Sequence, residues 1–169
     1  MSARDEHRGS SRSGRRDRLV RAHEHDTYRQ REKPPEPSAC PDCGAVFRNG
    51  RWQWGAADAG AHQHRCPACA RIHDHVPAAF LTATGAFVRQ HRDEIEALIR
   101  HREEHECREH PLKRIMAMTG TDDRIEITFT EPHLARGVGE ALRHAYKGEL
   151  EYHYADGAYL LRVSWHRDA

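Results

Sequence analysis

Two pairs of cysteines are the residues of this chain whose type and spacing most clearly predict a chemical role. Cys40 and Cys43 form one C-x-x-C pair, Cys66 and Cys69 form a second, and 22 residues lie between the pairs. Two thiolates at this spacing can reach one ion, and two such pairs can complete a tetrahedron around Zn²⁺. Because four thiolates leave no open coordination position, the pattern predicts a single structural zinc ion rather than a catalytic one.

Other roles for the cysteine and histidine side chains are less well supported by the sequence. A redox-active pair of the thioredoxin type is the rival for either C-x-x-C, but it needs no second matched pair. Cys107 has no pair, and we expect an incidental reduced thiol. Four histidines near the cysteines are possible substitute ligands, which we expect instead at the surface: His62, His64, His73 and His75.

The cysteine segment also carries aromatic and arginine side chains that suit unpaired RNA bases and phosphates. The alternative is that the aromatic side chains cover the metal, and we expect one tryptophan in the core and one at the surface. The candidate RNA-contact residues are Arg48, Arg51, Trp52, Trp54, Arg65 and Arg71.

A second motif suggests metal chemistry of another kind. Residues 101–105 match H-x-x-E-H, in which His101 and His105 would hold zinc and Glu104 would act as a general base. The segment lies in a charged helix end with no third ligand in view, and a chain with 15 histidines produces such matches by chance. A zinc hydrolase is therefore only a remote alternative. Neither glycine-rich phosphate-loop pattern occurs, so we expect no nucleotide binding.

Charge is unevenly distributed along the 169 residues. The net charge is +1, yet residues 1–71 hold 14 Lys and Arg against 9 Asp and Glu, and the remainder is slightly acidic. No stretch of eighteen apolar residues and no apolar leader occurs, so we expect no membrane association. Five cysteines, four of them in metal-type pairs, favour a reducing compartment, which predicts a cytoplasmic location.

The elements that must position these residues predict an α+β protein in four parts. Residues 1–38 read as a disordered basic tail, 39–76 as a four-cysteine zinc ribbon, 77–111 as a connecting helix and 112–169 as a small ββαββ unit. In the ribbon, Gly44 is expected at positive φ and the second cysteine pair on a returning arm. In the last unit, two hairpins flank a helix with Thr130 as N-cap and Gly148 just past its end.

Two segments together resemble a known family. The ribbon "CPDCG…CPAC" and the later "HLARGVGEAL…KGEL" resemble the large-ribosomal-subunit export adaptor (nonsense-mediated-decay protein three) family, specifically its short bacterial zinc-ribbon relatives. The likeness spans roughly residues 38–166. It implies zinc ligation by the four paired cysteines, contact with the large ribosomal subunit and no enzymatic activity.

These observations lead to one functional expectation and one main rival. We expect a non-enzymatic, zinc-ribbon RNA- or ribosome-associated protein that binds rRNA or a ribosomal factor. The rival is a protein–protein interaction adaptor, in which structural zinc scaffolds the fold and a partner docks on the slightly acidic C-terminal unit.

Overall fold

The computed structural model describes residues 26–28, 32–155 and 160–169. Most of the predicted tail, residues 1–25 and 29–31, lies outside the described residues. The described part of it contacts the folded chain. The Tyr28 hydroxyl donates a hydrogen bond to Asp74 (2.9 Å), and Ser38 is already the first residue of a strand. The folded part of the chain therefore begins before the predicted boundary at residue 38.

The first unit, here called the cysteine module, comprises residues 32–76. Its elements are β1 (Ser38–Ala39), β2 (Val46–Arg48), β3 (Arg51–Gln53), β4 (His62–Gln63) and α1 (Pro67–Asp74). The four strands form one sheet in the order β3-β2-β1-β4, and helix α1 follows them in the chain.

The second cysteine pair lies at the start of α1 and not on a returning strand. Cys66 is the N-cap, and its sulfur accepts a hydrogen bond from the backbone N–H of Cys69. Pro67 at the first helical position suits this start, because proline has no N–H to leave unpaired there. A sulfur thus takes the place of the usual capping oxygen.

The second unit, here called the sheet unit, covers the described residues from Pro77 onward. Its elements are β5 (Ala79–Thr84), α2 (Ala86–Gln90), α3 (Arg92–Glu109), β6 (Ile115–Thr121), β7 (Arg124–Phe129), α4 (Pro132–Tyr146), β8 (Glu149–Tyr154) and β9 (Leu161–His166). The five strands form one sheet in the order β6-β7-β5-β9-β8, and the α+β class is confirmed.

The predicted connecting segment, residues 77–111, instead supplies the central strand of this sheet. β5 pairs antiparallel with β7 and parallel with β9. Ala79, Leu81 and Ala83 alternate with outward residues and are buried. The helical part then divides at His91 into α2 and α3, and Ile99 of α3 joins the same core as Leu81. Residues 77–111 are therefore part of the sheet unit and do not separate it from the module.

The predicted hairpins and helix of the sheet unit are present with one local difference. β6 pairs with β7 across Asp122 and Asp123, and β8 pairs with β9. Glu131, not Thr130, caps α4, because its carboxylate accepts from the N–H groups of His133 and Leu134. Gly148 follows the helix end with φ of 89°, where a glycine is favoured.

The helices pack on one face of the five-stranded sheet. Apolar side chains of α2, α3 and α4 join the inward residues of the strands in one core, which includes Trp165 and Phe129. The outward residues of β7 and β9, such as Glu126 and Arg162, are exposed. Within the described ranges, none of the helices has the length and apolar character needed to cross a bilayer.

Candidate metal centre

Four cysteine sulfurs gather at one point of the cysteine module. The Sγ atoms of Cys40, Cys43, Cys66 and Cys69 all lie within 4.8 Å of one another. The Cys43 and Cys66 sulfurs are 3.8 Å apart, close to the roughly 3.8 Å edge of a tetrahedron with Zn–S bonds of about 2.3 Å. All four are free thiols. The predicted ligand set and the single structural zinc ion therefore fit this centre.

Local backbone structure holds each pair in place. Gly44 has φ of 78°, as predicted, and its N–H donates to the carbonyl of Cys40 (2.9 Å), closing a tight turn around the first pair. The N–H of Cys66 donates to Cys40 Sγ at 3.3 Å, which ties the second pair to the first. The Cys66 N–H points at sulfur, as expected for a donor that stabilises a thiolate.

Burial and hydrogen bonds shift the pKa values of the thiols in opposite directions. Burial raises the pKa of Cys66 and of Cys69. Burial also opposes ionisation of Cys40, but backbone N–H groups of Cys66, Cys43 and Asp42 lower its pKa to about 7. Zinc binding to this site must displace the protons that the buried thiols hold, so the affinity for zinc falls as the pH falls.

Residues of both units cover the centre. Trp52 from β3 and Leu112 from the segment before β6 pack against the buried cysteines. Arg114 from the same segment reaches the centre and donates to the sulfurs of Cys66 (3.3 Å) and Cys69 (3.2 Å). The sequence patterns did not identify Leu112 or Arg114, because nothing near them in the chain marks them as neighbours of the cysteines.

The two tryptophans have different surroundings, as predicted. Trp52 is half-buried against the cysteines, with its ring centroid 5.5 Å from that of Phe47. Trp54 is 42% exposed, and its indole N–H donates to the carbonyl of Cys107 at 2.6 Å. Trp54 therefore also links the cysteine module to the end of α3.

The four predicted RNA-contact arginines differ in solvent exposure and in their ion pairs. Arg71 is buried, pairs with Asp26 (2.5 Å) and lies over the ring of Tyr28, so its guanidinium does not face solvent. Arg48 pairs with Asp58 and Arg65 pairs with Asp42 at the surface. Arg51 is exposed on β3.

The H-x-x-E-H residues lie on the outer side of α3. His101, Glu104 and His105 are exposed, and none of them belongs to a cluster of three or more possible metal ligands. Within the described ranges, the four cysteines are the only such cluster. Of the histidines near the cysteines, His62, His73 and His75 are exposed as predicted, and His64 is half-buried beside Trp52.

Comparison of the chain with known proteins gives no relative: no family model, no curated protein and no solved structure matches it. The assignment of the zinc site therefore rests on the sulfur geometry and the chemistry of four cysteine ligands. The chain carries a closed four-cysteine site for one structural zinc ion, at the junction of a small cysteine module and a five-stranded sheet unit.

Proposed function

We propose that this is a non-enzymatic, cytoplasmic RNA- or ribosome-associated protein that binds RNA at a groove beside the zinc centre. The groove has a volume of about 570 Å³ and runs between the cysteine module and the segment that precedes β6. Phe47, Trp52, Pro111 and Leu112 contribute apolar surface to it. Aromatic surface of this kind stacks with unpaired bases irrespective of their sequence.

The charges at the rim of the groove support the same proposal. Lys33 and Arg51 line it, and the exposed Arg51 side chain forms no ion pair within the described residues. Glu32 and Glu131 also line it, so the rim is mixed, with Glu131 already engaged as the cap of α4. A free guanidinium next to an aromatic side chain suits a phosphate next to a base.

The likeness of the cysteine pairs and the α4 segment to the ribosomal export adaptor family adds a partner class. It favours rRNA or a factor on the large ribosomal subunit over other RNA. The surface ion pairs of Arg48 and Arg65 leave those arginines available as well, since exposed pairs are worth little and exchange readily for phosphate.

Sedimentation of the tagged protein from its own lysate through a sucrose gradient tests the proposal. We expect co-migration with the large subunit that is lost after nuclease treatment or at high salt, because neutralised phosphates release counterions. Arg51→Glu should weaken the association, whereas Arg89→Glu, an equal charge change at an exposed position of α2, should not. A protein that stays at the top of the gradient in every condition contradicts the proposal.

A protein-interaction adaptor is the second candidate, and the uncovered face of the sheet favours it. A hollow of about 400 Å³ lies on this face between α1 and β6, with Ile72, Phe80 and Met116 among its lining residues. An apolar hollow in a polar sheet face suits an apolar side chain of a partner. Partners that remain bound after nuclease treatment would favour this function over RNA binding.

A further inference from the structure

One arginine of the sheet unit contacts the metal site of the cysteine module. The Arg114 Nη2 atom lies 3.3 Å from Cys66 Sγ and 3.2 Å from Cys69 Sγ. Arg114 directly precedes β6 and is separated from these cysteines by more than 40 residues of chain. The contact therefore joins the two units through the zinc ligands themselves.

Among the described residues, no carboxylate forms an ion pair with Arg114, and its Nε atom is buried without a hydrogen-bond partner. A guanidinium keeps its positive charge at all ordinary pH values, and burying such a charge without an anion is costly. Neutral thiols do not supply that anion.

A zinc-loaded site does supply it. Four thiolates around one Zn²⁺ leave a net charge of −2, and two of those sulfurs face the guanidinium directly. Hydrogen bonds to a ligand sulfur withdraw electron density from it and tune the metal, as outer-shell donors do elsewhere. The half-buried guanidinium and the thiolates thus lower each other's cost of desolvation.

We propose that Arg114 is the charge partner of the zinc–tetrathiolate centre, and that this contact makes zinc binding in the module stabilise the start of β6 in the sheet unit. The backbone of Arg114 supplies the connection. Its N–H donates to the Thr130 hydroxyl (2.9 Å), and its carbonyl accepts from the Thr130 N–H (2.9 Å). Leu112, two residues earlier, packs on the cysteines. Arg114 acts through the ligands and is a positioning residue.

Zinc affinity of the full-length protein, measured by competition with a chromophoric chelator, tests the charge partnership. Arg114→Met removes the charge and keeps much of the volume, and we expect about 10- to 100-fold weaker binding. Arg114→Lys should restore part of the affinity. The matched control is Arg48→Met, which removes a surface arginine of the module that pairs with Asp58; its affinity should stay at the wild-type value.

Cobalt substitution gives a readout that a merely structural role would not change. The sulfur-to-cobalt charge-transfer bands should shift in Arg114→Met and not in Arg48→Met, because only the first loses donors to the ligand sulfurs. Wild-type affinity together with unshifted bands in Arg114→Met would overturn the proposal.

Hydrogen exchange of the unmodified protein covers the case in which Arg114→Met fails to fold. Removing zinc with a chelator should accelerate amide exchange over residues 112–118, while the amides of β5 and β9 keep their protection. Unchanged exchange over residues 112–118 after zinc removal would show that the centre does not stabilise β6.

Discussion

The cysteine module and the sheet unit differ in what fills their interiors. The module's strands have two or three residues each, and the buried cluster at its centre consists of Cys40, Cys66, Cys69 and Ala68. The sheet unit has strands of six or seven residues that bury large side chains such as Trp165 and Phe129. Such a small module cannot bury enough apolar surface to fold alone, so metal binding must supply the difference.

The comparison predicts that metal removal affects the two regions unequally, and this is the largest expected effect. Cys66→Ser should abolish stoichiometric zinc binding and remove hydrogen-exchange protection from β1, β2 and α1. The sheet core should remain protected. The physical reason is that structural zinc supplies about 10–16 kcal/mol in small modules of this kind.

Cys107→Ser is the matched control for this experiment. Cys107 lies on α3 outside the metal cluster, so its substitution should leave one zinc per chain and an intact module. A Cys66→Ser protein with a still-protected module would refute the dependence on metal, and one with an unfolded sheet unit would refute the independence of the sheet core.

Truncation of a side chain in the apolar core should destabilise the sheet unit and leave the metal site intact. Ile99 of α3 is fully buried with the sheet strands, so Ile99→Ala should lower the free energy of unfolding of the sheet unit by about 2–5 kcal/mol. Chemical denaturation measures this change, with zinc content unaltered. Arg100→Ala, next to it on the exposed side of α3, should change stability by less than about 0.5 kcal/mol. Equal effects of the two substitutions would mean that α3 is not part of the core.

Substitutions at two glycines of α4 test how this helix packs on the sheet. A Cβ at Gly139 would lie 2.9 Å from a Val163 methyl and 3.0 Å from a Leu150 methyl, so Gly139→Ala should cost about 1–3 kcal/mol by overpacking. A Cβ at Gly137 meets only the Arg102 guanidinium at 3.5 Å. Gly137→Ala should therefore stabilise the helix by up to about 1 kcal/mol. Thermal unfolding distinguishes the two, and shifts of the same sign would contradict the packing of α4 on the sheet.

A carboxylate near the junction gives the smallest predicted effect. The hydrogen bond from Lys113 to Glu106 (2.8 Å) lowers the pKa of that carboxyl below its ordinary value, against a smaller opposing effect of burial. A depressed folded-state pKa stabilises the fold above the ordinary carboxyl pKa, and this contribution is lost as the pH falls through the folded-state value. Hydrogen exchange of the sheet amides measures the free energy of unfolding at each pH. Below about pH 4.5, Glu106→Gln should lose less of this free energy than the wild-type protein does.

Glu104→Gln, on the same helix but exposed, is the control for the acid measurement. Zinc loss at low pH affects both variants alike, so only their difference reports on Glu106. Identical pH profiles for the two variants would exclude a contribution of the Lys113–Glu106 pair to stability.

The features that the sequence predicted correctly are those encoded by neighbours in the chain. Each C-x-x-C pair brings two sulfurs together within one turn, and the turn at Gly44 requires only its own positive φ. The hairpin of β6 and β7 follows from two alternating runs around a short polar turn. Local geometry decides these elements, so local patterns reveal them.

β5 shows where local patterns fail. Its residues, "AFLTAT", alternate between buried and outward positions, but alanine and threonine give too weak an apolar contrast to mark a strand. Its place in the sheet depends on pairing with β7 and, in parallel, with β9, which lies about 80 residues further along the chain. Only the folded chain brings these strands together.

The sequence by itself determined the metal site, because four cysteines at two short spacings leave few other ways to satisfy their chemistry. Tertiary structure alone decided what the site is attached to. Arg114 and Leu112 lie beside the cysteines only in the folded chain, and the inward Arg71 finds its partners Asp26 and the Val76 carbonyl there as well. A buried charge selects its partner by proximity in space, and proximity between distant residues is a property of the fold.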